Sequence, residues 1–292
     1  MAPLATFAVL FLAVGSASAQ TREDPAPAES LGIADTNRAS AWGPAAIYAN
    51  PAGLLRVPVL VVEAAYSYLA GKDGHNLGVS VVDARTNPDV ALGVGYSYFT
   101  TRPDGSDRDG SQMRLAVSTG YRSDAVALYA GLGVRWLGLV LGKDDTDEGV
   151  EETDDIDTWT GDLGLILEVD HKIRFGVVGT NLIDTKTAEA PRGLGLGLSF
   201  VFGNLDVGAT LDMDLSGRQD SVVSTWGLGA DLAVAAPVHL RAGFIRDERY
   251  DAERITFGLG WAADQVAIDL AYATSLTKPT ATTFAVSVRW SP

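Results

Sequence analysis

From Val59 onward, apolar residues recur at every second position. Leu60, Val62, Ala64, Tyr66 and Tyr68 open the series, and Phe284, Val286, Val288 and Trp290 close it. The residues between these last four, Ala285, Ser287 and Arg289 after Thr283, are small or polar. Successive side chains of a strand point to opposite faces, so each such run is a ribbon with one oily face and one small or polar face. The same alternation marks runs at Leu77–Val81, Val90–Tyr98, Met113–Tyr121, Val126–Trp136, Trp159–Val169 and Ile173–Val177. It continues at Leu194–Phe202, Leu205–Leu215, Val222–Leu232, Leu240–Phe244, Ile255–Trp261 and Ile268–Tyr272. The pattern predicts about 14 strands, an even number, each near the length that crosses an outer membrane when tilted.

Alternation alone fits a soluble sandwich, whose oily face is its core, or a membrane barrel, whose oily face meets lipid. Two features favour the barrel. Aromatics sit on the oily face and near run ends, among them Tyr66, Tyr68, Tyr96, Tyr98, Tyr121, Trp136, Trp159, Phe202, Trp261 and Trp290, as interfacial girdles require. The connections also alternate in length. Those after even-numbered runs are short, such as Arg122–Asp124, Asp170–Lys172 and Gly203–Asn204. Those after odd-numbered runs are mostly longer and charged: Thr100–Gly110, Gly142–Thr158, Ile183–Arg192 and Arg246–Glu253. A barrel with both termini in the periplasm has short turns there and longer outer loops. The expected fold class is therefore all-β, a transmembrane antiparallel barrel in which the last run pairs with the first to remove both edges.

On that reading the polar faces line the lumen. They carry Glu63, Arg114, Arg135, Asp162, Glu168, Arg174, Asp206, Asp212, Asp214, Asp231, His239, Arg241, Asp269 and Arg289, while the oily faces carry almost no charge. Both signs fall on neighbouring runs, as with Glu168 and Arg174 or Asp231 and Arg241, which predicts ion pairs that fill a narrow lumen over a selectivity lining.

The chain before the first run divides in two. Phe7–Val14 is a short apolar core and Ala17-Ser18-Ala19 a small-residue cleavage site, so residues 1–19 read as an export signal removed before Gln20. Residues 20–58 read as leader and plug, with Gln20–Ser30 flexible, a helical turn over Ala45–Ala49 ended by Asn50-Pro51, and a tight turn at Gly53 before the barrel at 59–292. Cysteine is absent, which excludes disulfides and thiolate metal sites. The net charge of −15 argues against nucleic acid as a partner. No later apolar run is long enough for a helical span.

The stretch Ala45 to Leu54, AAIYANPAGL, preceded by Arg38 and Gly43, resembles the N-terminal signature of the FadL/PorV-like outer-membrane proteins. Gly179-Thr180-Asn181-Leu182 is similar to a strand ending of such families. The resemblance implies a 14-stranded barrel whose N-terminal segment folds into the lumen as a hatch, shaped by Arg38, Gly43, Asn50, Pro51, Ala52, Gly53 and Leu54. It implies passage of small hydrophobic compounds, with outer-membrane lipid around the barrel. The PorV branch implies the alternative, a sealed barrel that engages envelope or secretion-machine proteins.

Other chemistry is thin. The acidic loop at 143–157 reads as a solvated outer loop, which repels anions, ahead of a divalent-cation site; Asp104, Asp107 and Asp109 read alike. His75 in an outer loop, His171 in a turn and His239 at a strand start lie at different levels and assemble neither a catalytic triad nor a metal triad. No cofactor is expected. Gly193-Leu194-Gly195-Leu196-Gly197 lies within a run with no helix after it and is not a phosphate loop; with Gly227, Gly229, Gly258 and Gly260 it leaves room for the plug.

Overall fold

The alternation becomes a closed wall in the computed structural model, which describes residues 27–102, 108–141, 155–187, 189–216, 222–248, 251–277 and 281–292. Fourteen antiparallel strands follow in chain order: β1 (Leu60–Leu69), β2 (Gly74–Asp83), β3 (Val90–Thr101), β4 (Arg108–Arg122), β5 (Val126–Leu141), β6 (Ile156–Val169) and β7 (Ile173–Thr180). Then come β8 (Gly193–Phe202), β9 (Leu205–Asp214), β10 (Val223–Ala235), β11 (Val238–Asp247), β12 (Ala252–Ala263), β13 (Val266–Ser275) and β14 (Thr282–Trp290). Each pairs with its sequence neighbours, and β14 pairs with β1 to close the barrel. At that seam Val62 faces Trp290, Tyr66 faces Val286 and Leu69 faces Thr283. Closure removes the two outer edges of the sheet.

Burial runs opposite to that of a soluble protein. Leu77, Val79 and Val81 of β2, Leu92 and Val94 of β3, and Leu163, Leu165 and Leu167 of β6 are all exposed, while the residues between them are buried. An apolar exterior between aromatic belts is the signature of a lipid-facing barrel. One belt, toward the longer connections, carries Tyr66, Tyr96, Tyr98, Trp159 and Phe284; the other, toward the short turns, carries Tyr121, Phe202, Trp261 and Trp290. We call these the loop end and the turn end.

Loop length follows the expected parity with three departures: the β2–β3 turn at residues 84–89 is as long as the connections at 102–107 and 276–281, and two connections at the other end are short. β1 and β2 are joined through residues 70–73, and β11 and β12 through residues 248–251. The second replaces the longer Arg246–Glu253 connection: Arg246 and Glu253 face each other across a ladder that continues to Asp247 and Ala252, and their side chains pair at 2.5 Å. β7 is the shortest strand, and beyond it residues 181–183 take over the wall beside β6. Asn181 N–H donates to Asp162 Oδ1 at 2.8 Å, and Leu182 N–H to the Gly161 carbonyl at 2.8 Å. Ala190 then joins a buried cluster with Phe99, Leu137 and Leu139 near the loop end.

Inside the wall lie α1 (Ala28–Gly32), α2 (Gly43–Ala49) and a 3₁₀ helix at Pro51–Arg56. Ordered chain thus starts ahead of the expected plug limit at Leu31, since Ala28–Ser30 belong to α1 rather than to a flexible leader. The export signal at 1–19 and most of the acidic loop lie outside the described residues.

Candidate functional site

The inner segment fits because the inward face of the wall is small where it passes. A side-chain carbon added at Gly258 would meet Gly32, at Gly243 Ile33 and Ala34, and at Gly208 Thr36. At Gly176 and Gly197 it would meet Arg38 and Ala39, at Gly164 Asn50, at Gly131 Pro51 and Ala52, and at Gly93 Ile47 and Leu54. One or two glycines per strand, on most strands, trace the segment's path round the lumen. Gly195, Gly197, Gly227, Gly229 and Gly258 were expected to serve in this way and do face the segment, whereas Gly193 and Gly260 face wall side chains. The glycines on β3, β5, β6, β7, β9 and β11 were missed, although each stands at an inward position of an alternating run.

The second half of the segment is docked by apolar packing and backbone hydrogen bonds. Ala46, Ile47, Ala52, Leu54 and Leu55 form one buried cluster with Val61, Val82, Ala91, Ala116, Tyr129 and Ile166 of β1 to β6. Asn50 is wholly buried and caps the 3₁₀ helix, its Oδ1 accepting from Ala52 N–H at 3.2 Å. Its Nδ2 donates to the Arg38 carbonyl at 2.9 Å and to the Leu165 carbonyl on the wall at 3.2 Å. Pro51 opens the helix where no N–H is needed. Gly53 is required by close approach to the Ala41 carbonyl, and not by a turn before β1; it sits inside the helix. Gly43 is the residue with positive φ, +52°, at the start of α2. Ser118 donates to the Ala52 carbonyl at 2.9 Å, and Arg122 to the Leu55 carbonyl.

The first half is held differently. α1 contributes only Ala28 and Leu31 to a small cluster with Ala271, Ala273 and Ala285. Thr256 donates from the wall to its Gly32 carbonyl at 3.0 Å, and its side-chain anchor is charge: Glu29 meets Arg289 at 2.5 Å. Arg289 also meets Asp269 at 2.7 Å and lies 5.0 Å over the Trp42 ring. Glu63 is more distant at 3.9 Å. Asp269 in turn meets Arg241 at 2.6 Å, and Arg241 meets Asp231 at 2.7 Å. Burial raises the Glu29 pKa, but Arg289 and then Arg241 more than offset it, so the carboxyl lies below its ordinary value and stays charged.

The remaining lumen charges also pair. Glu168 meets Arg174 at 3.1 Å and Arg56 at 3.2 Å, and Arg174 reaches Asp206 at 2.6 Å. Arg38 joins Asp212 at 3.0 Å and donates to the Ala49 carbonyl at 2.5 Å, tying wall to segment. Arg114 meets Asp162 at 3.6 Å and stacks 5.3 Å from the Tyr48 ring. Arg135 stands directly across from Arg114, buried. Of the histidines, His75 lies in β2 and bonds Tyr66, while His171 and His239 share the turn end, each on a carboxylate, Glu168 and Asp231. No group of three or more metal-ligating side chains occurs among the described residues.

Two cavities enter the lumen. One of about 280 Å³ lies toward the loop end, bordered by apolar side chains such as Leu31, Phe99 and Leu137 and by charged ones such as Arg38, Arg135 and Asp212. The other, about 300 Å³, lies toward the turn end, bordered by Glu29, Trp42, Asp231, His239, Arg241 and Arg289. α1 borders both: Ser30 and Leu31 face the first and Glu29 the second.

No protein-family model matches the chain, and no curated protein matches it. Among solved structures, the chain is similar to the Ralstonia pickettii toluene transporter TbuX, with a TM-score of 0.62 at 15% identity over 92% of this chain and 99% of that one. It is also similar to a deletion mutant of the monoaromatic hydrocarbon channel TodX, with a TM-score of 0.64 at 16% identity over 91% and 98% of the two chains. At these identities the likeness is one of fold, that of outer-membrane channel barrels.

Proposed function

We propose that the chain is a small FadL-like outer-membrane channel that passes small hydrophobic compounds, with α1 as the movable partition. The observation that carries this reading is the pair of cavities entering from opposite ends, with the five-residue α1 bordering both. Displacement of α1 from β11 to β14 would join them along that side of the wall, while the α2 side stays packed. The apolar part of the loop-end cavity's mixed lining, Leu31, Phe99, Leu137, Leu194 and Met213, suits the hydrophobic body of a small ligand. The resemblance at Asn50 to Leu54 and the barrel likeness to a toluene transporter and a hydrocarbon channel support the same substrate class.

The ion pairs favour a second reading. Glu168, Arg174, Asp206, Arg241 and Asp269 tie the turn end together, as in a sealed barrel that presents its loops to envelope proteins. Liposome swelling in small neutral solutes separates the two. The channel reading predicts slow swelling with the full chain and faster swelling after Glu29→Ala or deletion of residues 31–54. No swelling from any of the three forms rejects passage and leaves the sealed barrel.

A further inference from the structure

Toward the loop end, the inward face of the wall carries an apolar patch that the luminal segment does not use. Inward positions there are mostly small or polar, as at Gly95, Ser97 and Thr101 of β3 and Gly133 and Arg135 of β5. Phe99, Leu137 and Leu139 break that rule. All three are buried, and they cluster with Ala190 and the half-buried Ile156, apart from the cluster around Ile47 and Leu54. All three also border the loop-end cavity.

Ala190 comes from another part of the wall. It lies in the β7–β8 connection, three residues before β8, and meets a trough on β3 and β5 from beyond β6 and β7. Its neighbours Glu189, Pro191 and Arg192 border the same cavity, so residues 189–192 lean inward against it. This limb is lightly held. The last ladder pair of β7 with β8 is Thr180 with Gly193. Beyond it, Asn181 Nδ2 donates to the Pro191 carbonyl at 2.9 Å, and Leu215 N–H fixes the base of the limb at the Arg192 carbonyl at 2.8 Å. Thr185 Oγ1 donates to the Ala190 carbonyl at 3.0 Å, within the connection itself. Exposed Arg192 and Asp184 stand 4.0 Å apart.

We infer that the trough of Phe99, Leu137 and Leu139 is the seat for the apolar body of a small hydrocarbon ligand, and that Ala190 occupies it as a self-ligand until the ligand arrives. Magnitudes favour the exchange. Ala190 buries one methyl, worth about fourfold in an equilibrium, and a hydrocarbon ring in the same place buries several times that area. Thr185 can leave with Ala190, so the exchange breaks the Asn181 bond and returns the larger apolar contact. Residues 189–192 then close the loop-end entrance, and α1 closes the inner end.

The ligand class rests on the channel reading above, but displacement of Ala190 is measured in micelles without flux. The chain has no cysteine, so Ala190→Cys reports the seat through maleimide labelling of the full chain in detergent, with toluene as the probe. Labelling should be slow without toluene and rise about tenfold at saturation, while Ala46→Cys in the other cluster stays protected at the same toluene level. Asn181→Gly keeps the left-handed backbone of residue 181, at φ +52°, and removes the donor to Pro191. Combined with Ala190→Cys, it should raise toluene-free labelling about fivefold and lower the toluene needed for half the effect by the same factor, because the closed limb competes with the ligand. Leu137→Ala should raise the toluene needed about threefold, since a ring loses more contact there than a methyl does. Heat-modifiable gel migration shows which variants fold; if Asn181→Gly does not, Asn181→Asp, which also tolerates the left-handed backbone, takes its place. Fast labelling without toluene, or labelling that toluene leaves unchanged, overturns the inference. So does a toluene requirement that neither Leu137→Ala nor the residue 181 variant moves. Toluene-driven labelling without liposome swelling rejects the channel alone; swelling without toluene-driven labelling rejects the seat alone.

Discussion

The two halves of the luminal segment sit in one barrel and are held by different balances of packing and charge. Residues 43–56 bury Ile47, Leu54 and Leu55 against six strands and hydrogen-bond to the wall through Asn50. Residues 28–34 bury Ala28, Leu31 and Ala34, accept one wall hydrogen bond at the Gly32 carbonyl from Thr256 at 3.0 Å, and pair Glu29 with Arg289. Apolar packing is short-ranged and tolerates no displacement, because each lost contact exposes surface or opens a void. A buried ion pair returns little net energy for the desolvation it costs, although breaking it by removing one partner is expensive. One half is therefore built to stay, and the other has the low net anchoring that a moving part needs.

The largest expected effect comes from the packed half. Leu54 is fully buried, so Leu54→Ala should cost about 2–5 kcal/mol, read as a lower temperature for the heat-modifiable gel shift. Swelling rates at temperatures where the variant stays folded should change little. If Leu54→Ala opens the channel as much as Glu29→Ala does, the two halves are one unit. Asn50→Ala follows, with about 1–3 kcal/mol for the wall and cap bonds it strands, and the same readout.

Glu29→Gln should cost less than Leu54→Ala, about 1 kcal/mol on the gel shift, because the amide oxygen can still accept from Arg289 and Arg289 keeps Asp269. Its effect belongs on α1. The chain has no cysteine, so a single Ser30→Cys reports maleimide access cleanly, and labelling should rise about tenfold in Glu29→Gln while Ala46→Cys stays protected. Unchanged labelling at Ser30→Cys would mean that the ion pair does not hold α1. The smallest effect is in pH. The folded Glu29 carboxyl titrates below its ordinary value, so its contribution is present above that value and is lost as pH falls through the folded one. Ser30→Cys access should therefore be flat from neutral pH down to about 4 and rise only in stronger acid. A rise between pH 7 and 5 would place the sensitive group elsewhere.

The wall was legible in the sequence because lipid imposes one rule on every strand. Outward positions such as Leu77, Val94 and Leu165 must be apolar, and aromatics such as Trp290 must sit at the belts, so period and ends both show. The lumen obeys no such rule. Glu168 with Arg174 could be read from adjacent runs, but Arg289 with Glu29 joins residues 260 apart and leaves no local trace. α1 escaped for the same reason: five residues give no helical period, and its partners lie on the last strands. Asn50 and Pro51 stood out because helix ends have their own chemistry. The glycine track was half legible, as inward glycines in alternating runs say that something approaches without saying what.

Hydrogen exchange on the full chain in micelles tests the division most directly. The Leu31 and Ala34 amides, bonded to the Pro27 and Leu31 carbonyls at 3.1 Å each, report α1; the Asn50 and Gly53 amides, bonded at 3.2 and 2.9 Å, report the packed half. Exchange at Leu31 and Ala34 should be at least about tenfold faster than at Asn50 and Gly53, and Glu29→Gln should accelerate only the first pair. Equal protection of all four amides, rising or falling together in Glu29→Gln, would show a single rigid plug and contradict a partition that moves.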